Sequence, residues 1–166
     1  PETRMGMTID IKEAHRLVPH RPQDWRFLGC RPRPDGPIFV NKVGTFGASS
    51  IAYWWGRVAG SVVRLLHYLV GPRHKLWALL VTADIFFTAA GTHLSPALVA
   101  ALLTLITLRI PLSWDKVAGG PGAIDWVGLE VIMNPPKVGL KESRAIWLHD
   151  WCEECIAAKS VHIGRF

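Results

Sequence analysis

Two aspartates, Asp10 and Asp84, stand where short apolar segments of the chain come to an end. A carboxylate taken out of water beside apolar strands costs free energy unless it gains a partner. A hard cation is such a partner, because Mg²⁺ takes oxygen ligands and usually combines one or two carboxylates with waters and substrate phosphates. If the fold brings Asp10 and Asp84 together, the chemistry to expect is nucleotidyl transfer by two Mg²⁺ ions, which activate the attacking hydroxyl and stabilise the leaving oxygen.

The segments that carry these aspartates have the character of strands. Residues 7–11 form an apolar run that predicts a buried strand ending near Asp10. Residues 76–81 and 85–89 are two further runs of strand length, and they predict a hairpin with Asp84 at its bend. The sequence therefore places each carboxylate at a strand end.

Glycine and proline mark the limits of the other elements. Apolar spacing predicts a long helix over 49–70, which Gly71 and Pro72 end. A second helix is predicted over 95–108, because Ser95 can cap it and Pro96 fits its first turn. The remaining expectations are a helical turn over 12–17, strands over 38–43, 111–116, 124–133 and 137–140, loops over 29–37 and 118–122, and an amphipathic helix over 141–159. This order predicts an α+β fold, an antiparallel or mixed sheet with helices packed on one face.

Composition restricts the classes of function. The chain has 166 residues, the length of one domain, and its 49% hydrophobic content excludes wholesale disorder. Its 19 Lys and Arg against 13 Asp and Glu give a net charge of +6, which favours a polyanionic partner. Three cysteines do not make a disulfide-stapled secreted domain, so we expect a reducing, intracellular location, cytoplasmic or nuclear.

The apolar stretch over 76–108 raises the alternative of a small membrane-associated helical protein. Gly91 and Pro96 interrupt the stretch, and its uninterrupted part covers only 97–108. A spanning helix needs about 20 apolar residues. We therefore expect buried core elements here rather than a membrane span.

Five motifs follow one another along the chain in an order that resembles the reverse transcriptases, and retrotransposon-derived enzymes in particular. The resemblance covers roughly residues 8–151. It depends on Asp-Ile-Lys-Glu-Ala-His-Arg-Leu-Val-Pro at 10–19, Gly-Thr-Phe-Gly-Ala-Ser-Ser at 44–50, Leu-Val-Thr-Ala-Asp-Ile-Phe-Phe at 80–87, Pro-Leu-Ser-Trp-Asp-Lys at 111–116 and Asp-Trp-Val-Gly-Leu-Glu at 125–130. The resemblance implies a polymerase palm and RNA-directed DNA synthesis, with an RNA template, a DNA primer, a deoxynucleoside triphosphate and two Mg²⁺ ions.

The resemblance also implies a role for individual residues. Asp10 and Asp84 match the metal-binding aspartates, and the backbone carbonyl of Ile11 would add a ligand. Phe46 and Gly47 match the contact with template and incoming nucleotide. Lys116 matches a Lys near the nucleotide phosphates. His15 takes the position of a Tyr or Phe that excludes a ribose 2′-hydroxyl. The primer grip is matched by Trp126, Val127, Gly128 and Leu129.

Two departures from the pattern keep a second function open. Thr82 replaces the Tyr of the Tyr-x-Asp-Asp hairpin, and Ile85 replaces its second Asp. The exchange at Ile85 removes a negative charge and is expected to put an apolar side chain into the site. The alternative is therefore a catalytically inactive, palm-derived module that binds nucleic acid or protein.

The resemblance divides the chain into residues 1–140, the palm, and residues 141–166, the helical start of the thumb connection. We expect both to belong to a longer chain.

Simpler interpretations stand beside the functional ones. Asp10 can cap a turn, Asp84 can be an ordinary hairpin residue, and Lys116 can be a solvated lysine. Core or interface packing explains Trp54 and Trp55 better than base stacking does. A zinc site is conceivable but disfavoured, because the helical spacing of its members does not converge on one metal; its members are His149, Cys152, Cys155 and His162. A basic cluster fits either contact with phosphates or plain solvation; its members are Arg21, Arg26, Arg31 and Arg33.

Overall fold

The computed structural model describes residues 2–45, 47–91 and 96–161. Its strands are β1 (Arg4–Ile11), β2 (Gly29–Cys30), β3 (Phe39–Val40), β4 (Trp77–Val81), β5 (Asp84–Ala90), β6 (Leu112–Gly120), β7 (Ala123–Trp126), β8 (Leu129–Met133) and β9 (Pro136–Leu140). Its α-helices are α1 (Ser49–Leu69), α2 (Gly71–His74), α3 (Pro96–Thr107) and α4 (Glu142–Ala158), with 3₁₀ turns at Ala14–Leu17 and Pro22–Phe27.

Four antiparallel strands form the central sheet, in the order β4-β5-β1-β6. Strand β1 lies in the middle and pairs with both β5 and β6, so it is the strand most enclosed by the fold. Alternate side chains of a strand point to opposite faces. The sequence of β1, Arg-Met-Gly-Met-Thr-Ile-Asp-Ile, therefore sends its Met and Ile residues to one face and Asp10 to the other.

Helices α1 and α3 cover the face that receives the apolar side chains. Ile9, Ile11, Ile85 and Phe87 of the sheet pack there, and each is at most 1% exposed. The helices contribute Leu66, Leu98 and Leu105 to the same core. Each such side chain stabilises the fold by roughly 1.5–3 kcal/mol through its removal from water.

A second sheet, with strand order β7-β8-β9, covers part of the opposite face. Phe86 of β5 points to this side and packs with Ile124, Val131 and Met133. Phe86 lies two residues beyond Asp84 in β5. The packing of the second sheet is therefore offset from the end of the central sheet where Asp10 and Asp84 pair.

The α+β prediction, with helices on one face of an antiparallel sheet, is confirmed. The long helix runs over Ser49–Leu69, within one residue of the predicted 49–70, although a further helical turn, α2, follows where Gly71 and Pro72 were expected to stop it. The second helix is present from Pro96, and Ser95 lies outside the described residues.

Three sequence-based strand predictions were wrong in extent. The predicted strand over 124–133 is two strands joined by a turn at Val127 and Gly128. Strand β6 continues to Gly120, into the predicted loop over 118–122, because it pairs with β1 along Met7 and Thr8. The predicted strand over 38–43 is reduced to Phe39–Val40, which pairs with two residues of the expected loop.

The apolar stretch over 76–108 is divided among β4, β5 and α3. Among the described residues, no helix combines the length and the apolar character that crossing a membrane requires. The buried face of α3 instead contributes Ala97, Leu98, Ala101 and Leu105 to the core.

Candidate functional site

Asp10 and Asp84 are direct partners across β1 and β5. Residues that face each other across an antiparallel pair share one face of the sheet, with Cβ atoms about 4.5–5.5 Å apart. Asp84 is the first residue of β5 and pairs with Val81, so it belongs to the strand and not to the bend. The fold thus brings two carboxylates that are far apart in the sequence to the same end of the sheet.

The turn before Asp84 is held from two sides. It consists of Thr82, with a φ of 57°, and Ala83. The backbone N–H of Ile11 donates to the carbonyl of Ala83 at 2.9 Å, and the ring N–H of Trp55 in α1 donates to the carbonyl of Thr82. These contacts fix the position of Asp84 relative to β1 and to the long helix.

Strand β6 supplies two donors to a single oxygen of Asp10. The hydroxyl of Ser113 donates to Oδ2 at 3.0 Å, and the ammonium of Lys116 donates to the same Oδ2 at 3.0 Å. Ser113 is buried, the Asp10 side chain is 16% exposed and the Lys116 side chain is 61% exposed. One donor is therefore enclosed by the fold, and the other reaches in from solvent.

The surroundings of Asp84 and Lys116 shift the pKa of each of these two groups. Partial burial raises the pKa of the Asp84 carboxyl, the charge of Asp10 raises it further, and Lys116 opposes both. The hydrogen bond and the charge of Asp10 raise the pKa of the Lys116 ammonium. The end of the sheet therefore has an excess of negative charge that favours a cation.

The carboxylates of Asp10 and Asp84 fit Mg²⁺ better than they fit a metal whose ligands all come from the protein. The described part of the chain contains no group of three or more His, Cys, Asp or Glu side chains placed to hold a metal. Two facing carboxylates fit Mg²⁺, which completes its shell with waters and substrate oxygens. Of the zinc combination, Cys152 is exposed and Cys155 half-buried on α4, and His162 lies outside the described residues.

A cavity of about 460 Å³ opens beside Asp10. Its wall includes His15, Thr45, Thr82 and Lys116. The side chain of Ile11 is buried in the helix-side core, so only the backbone of this residue is available to the cavity. The volume lies in the range of small-molecule sites.

The cavity wall depends on a close approach at Gly44. A Cβ at this position would lie 2.3 Å from the carbonyl oxygen of His15, and the N–H of Gly44 donates to the carbonyl of Val18 at 2.9 Å. Only glycine allows the two backbone segments to meet so closely. Gly47 follows in an exposed turn with a φ of 91°, and Phe46 lies outside the described residues.

The hairpin of β7 and β8 packs against the strand that carries Asp84. The Trp126 ring lies 5.4 Å from that of Phe86, and its N–H donates to the carbonyl of Asp84 at 3.4 Å. Val127 and Gly128 form the turn with φ values of 50° and 78°, and Leu129 pairs with Trp126. The four residues of the expected primer grip thus form one turn that contacts the backbone of Asp84 through Trp126.

Helix α4 braces this turn. The guanidinium of Arg144 donates to the carbonyl of Gly128 at 3.1 Å, and Lys141 forms an ion pair with Asp125 at 2.7 Å. A Cβ on Gly128 would collide with the Arg144 side chain, which lies where that atom would be. The rest of α4 is mostly exposed, with the rings of Trp147 and Trp151 stacked on one another at 6.3 Å.

Ile85 does not enter the site, contrary to the expectation from the sequence. It follows Asp84 in β5 and therefore points to the helix-covered face, where it is 0% exposed and packs in the main core. Ile85 therefore contributes no apolar wall to the site.

Ser113 and Trp55 are the two site residues that sequence reasoning missed. Ser113 lies inside one of the matched motifs, at 111–116, but a serine in a strand gives no signal of a partner 103 residues away. Trp55 is 3% exposed, as the core interpretation predicted, and it also bonds the turn before Asp84. Trp54, by contrast, is 51% exposed and lies outside the core.

The basic cluster lies away from the central sheet, around the 3₁₀ turn Pro22–Phe27 and the proline-rich loop that follows. All four arginines are exposed. Arg26 lies 4.6 Å above the Phe27 ring, and Arg31 donates to the carbonyl of Pro34 at 3.3 Å. These contacts leave the positive charge of the cluster facing solvent.

Comparison with solved structures identifies the fold. The chain is similar to the foamy viral protease-reverse transcriptase in complex with dsDNA, with a TM-score of 0.63 and 15% identity over 84% of this chain and 27% of that one. It is similar to the same kind of protein in complex with an RNA/DNA hybrid, with a TM-score of 0.64 and 16% identity over 89% of this chain and 18% of that one. No family model matches the sequence, and no curated protein matches it. The chain has a reverse-transcriptase-like fold and spans about a quarter or less of the length of these neighbours.

Proposed function

We propose that this chain is the palm of a reverse-transcriptase-like polymerase and carries out template-directed nucleotidyl transfer. The observation that supports it most strongly is the direct pairing of Asp10 with Asp84, beside a cavity of about 460 Å³. Two carboxylates at one strand end, with an excess of negative charge between them, are what a hard cation requires, and the cation would in turn bind a triphosphate.

The chain's own residues have distinct tasks in this proposal. Asp10 and Asp84 hold Mg²⁺, and Ser113 keeps the carboxylate of Asp10 in one orientation through its 3.0 Å hydrogen bond. When bound, the metal activates the primer 3′-hydroxyl and stabilises the leaving pyrophosphate. Lys116 neutralises phosphate charge, since its exposed ammonium reaches the same cavity.

The cavity wall and the hairpin position the substrates. The proposed roles are contact with the incoming nucleotide for the backbone of Ile11 and for His15, and contact with template and nucleotide for Phe46 and Gly47. The turn formed by Trp126, Val127, Gly128 and Leu129 supports the primer end, and the hydrogen bond from Trp126 to the carbonyl of Asp84 links that support to the carboxylates. Alignment of the reacting groups then supplies much of the acceleration.

The partners in this proposal are an RNA template, a DNA primer and a deoxynucleoside triphosphate. The net charge of +6 and the exposed basic cluster favour contact with the backbone of a hybrid duplex rather than with its base edges. Residues 1–140 form the palm, and residues 141–166 begin the thumb connection of a longer protein. The contacts of Arg144 and Lys141 with the β7–β8 hairpin connect the two parts.

A primer-extension assay tests the proposal. The protein is given an RNA template, a DNA primer and deoxynucleoside triphosphates with Mg²⁺ or Mn²⁺, both as this chain and in any longer protein that contains it. We expect extension that Asp10→Asn and Asp84→Asn each reduce by about 100-fold or more, because each removes a charge that holds the metal. Asp150→Asn is the matched control on the exposed side of α4, and it should extend primers like the wild type.

The second candidate is a module that binds nucleic acid or protein without turnover. It is favoured by the missing second carboxylate at Ile85 and by the lysine already bound to Asp10. A folded protein that binds an RNA/DNA hybrid with strong salt dependence, yet extends no primer, would support this candidate against the first.

A further inference from the structure

The ammonium of Lys116 occupies the position that a cation would take on Asp10. It lies 3.0 Å from Oδ2 of Asp10, on the face of the sheet that also carries Asp84. One basic side chain therefore offsets part of the negative charge of the two facing acids.

The two donors to Oδ2 differ in how easily they can leave. Ser113 is buried between β1 and β6, so loss of its hydrogen bond would leave polar atoms unsatisfied. The Lys116 side chain is 61% exposed and can exchange its ion pair for water. Exposed ion pairs contribute little to stability, so a divalent cation can displace this one.

We propose that Lys116 closes the carboxylate pair of Asp10 and Asp84 while no divalent cation is bound, and that cation binding displaces its ammonium into the cavity, where it meets phosphate. The inference rests on the proposed function, and it adds an order of events: the lysine is available for phosphate only after the metal has taken its place on Asp10. The cavity beside Asp10 has Lys116 in its wall, so the displaced ammonium stays within reach of a bound triphosphate.

Metal affinity, independent of catalysis, tests the inference. Free Mn²⁺ is measured by electron paramagnetic resonance at physiological salt during titration of the metal-free protein. We expect Lys116→Met to bind Mn²⁺ about two- to fivefold more tightly than the wild type, the range that corresponds to loss of an exposed ion pair. Lys116→Arg keeps the ion pair and should stay close to the wild type.

A matched charge removal separates displacement from general electrostatics. Lys12 lies two residues after Asp10 and makes no ion pair within the described ranges. Lys12→Met removes the same charge near the site without freeing Asp10, and salt screens its effect, so we expect an affinity within about 1.5-fold of the wild type. If Lys12→Met and Lys116→Met tighten binding equally, or if neither does, Lys116 does not close the site.

The same titration distinguishes failure of this inference from failure of the proposed function. Mn²⁺ binding that Asp10→Asn abolishes, together with unchanged affinity in Lys116→Met, rejects the closing role of the lysine and keeps the metal site. Binding that Asp10→Asn leaves intact rejects both. Circular dichroism of each variant establishes that it is folded before the affinities are compared.

Discussion

The helix-covered face of the central sheet and the opposite face are built from alternate residues of the same strands. On the first face, Ile9 and Ile85 pair with each other and are buried in a continuous apolar core. On the second, Asp10 and Asp84 pair one position further on, and Asp10 accepts hydrogen bonds from a serine and a lysine beside a cavity. A step of one residue along either strand therefore changes the environment from a dry core to a charged site.

This contrast clarifies what the missing second carboxylate means. An Asp in place of Ile85 would point into the core and not toward Asp84, because consecutive strand residues face opposite ways. The site loses a distant charge, and the core gains a side chain that it packs completely. The exchange therefore makes the fold more apolar without changing the geometry of Asp10 and Asp84.

The largest expected effect comes from reversing that exchange. Ile85→Asp places a carboxyl in the main core, where no partner is present among the residues that pack there, and should reduce the free energy of unfolding by about 4 kcal/mol or more. Urea denaturation followed by circular dichroism measures the loss. Ile85→Val is the control and should cost about 0.5–1.5 kcal/mol. Equal stability of the two variants would mean that the two faces differ less than the burial of Ile85 implies.

A smaller effect is expected on the charged face. Ser113→Ala removes the buried hydroxyl that donates to Asp10 and should cost about 1–2 kcal/mol, since the lost bond is to a charged acceptor. Ser61→Ala, on the exposed side of α1, removes only a bond to the carbonyl of Arg57 and should change stability by less than about 0.5 kcal/mol. Thermal unfolding of the two variants measures both losses. An unchanged melting temperature for Ser113→Ala would argue against a buried hydrogen bond from the Ser113 hydroxyl to Asp10.

The smallest effect concerns the partial burial of Asp84 and its repulsion by Asp10, and it depends on pH. The pKa of Asp84 is raised above 3.8 in the folded protein, so the folded state binds its proton more firmly than the unfolded state does. Its contribution to stability is therefore fully present below pH 3.8 and is lost as pH rises through the folded pKa.

Asp84→Asn carries no such penalty. The free energy of unfolding of the variant minus that of the wild type should therefore be greater at pH 7 than at pH 3, by roughly 0.2–1 kcal/mol, the range for like charges facing each other in a sheet. Thermal unfolding at both pH values provides the comparison, with Asp150→Asn as the control. A difference that stays constant or falls with pH would contradict the raised pKa of Asp84.

Sequence reasoning succeeded where local pattern and fold agree. The long helix was predicted within one residue of Ser49–Leu69, because its apolar residues recur at helical spacing after a glycine-rich start. Asp10 and Asp84 were identified as a pair from motifs that the fold does bring together. Both cases depend on signals that are contained within a short segment.

The failures share a different cause. The turn at Val127 and Gly128 lies inside an apolar run, and the φ of 50° at Val127 is one that a β-branched residue rarely adopts. Cross-strand pairing and the contact from Arg144 determine that turn, and neither is visible in the local sequence. The partners of Asp10 on β6 were missed for the same reason, since they come from more than 100 residues away.

His67 of α1 accepts a hydrogen bond from the backbone N–H of Ala78 at 2.9 Å, on the outer edge of β4. An outermost strand offers unpaired amides that invite another polypeptide to extend the sheet, and β4 displays Trp77, Leu79 and Val81 beside that edge. The imidazole takes the place of the missing neighbour at this amide. The bond to His67 thereby occupies the amide of Ala78, which a strand of another molecule would otherwise pair with when sheets associate edge to edge.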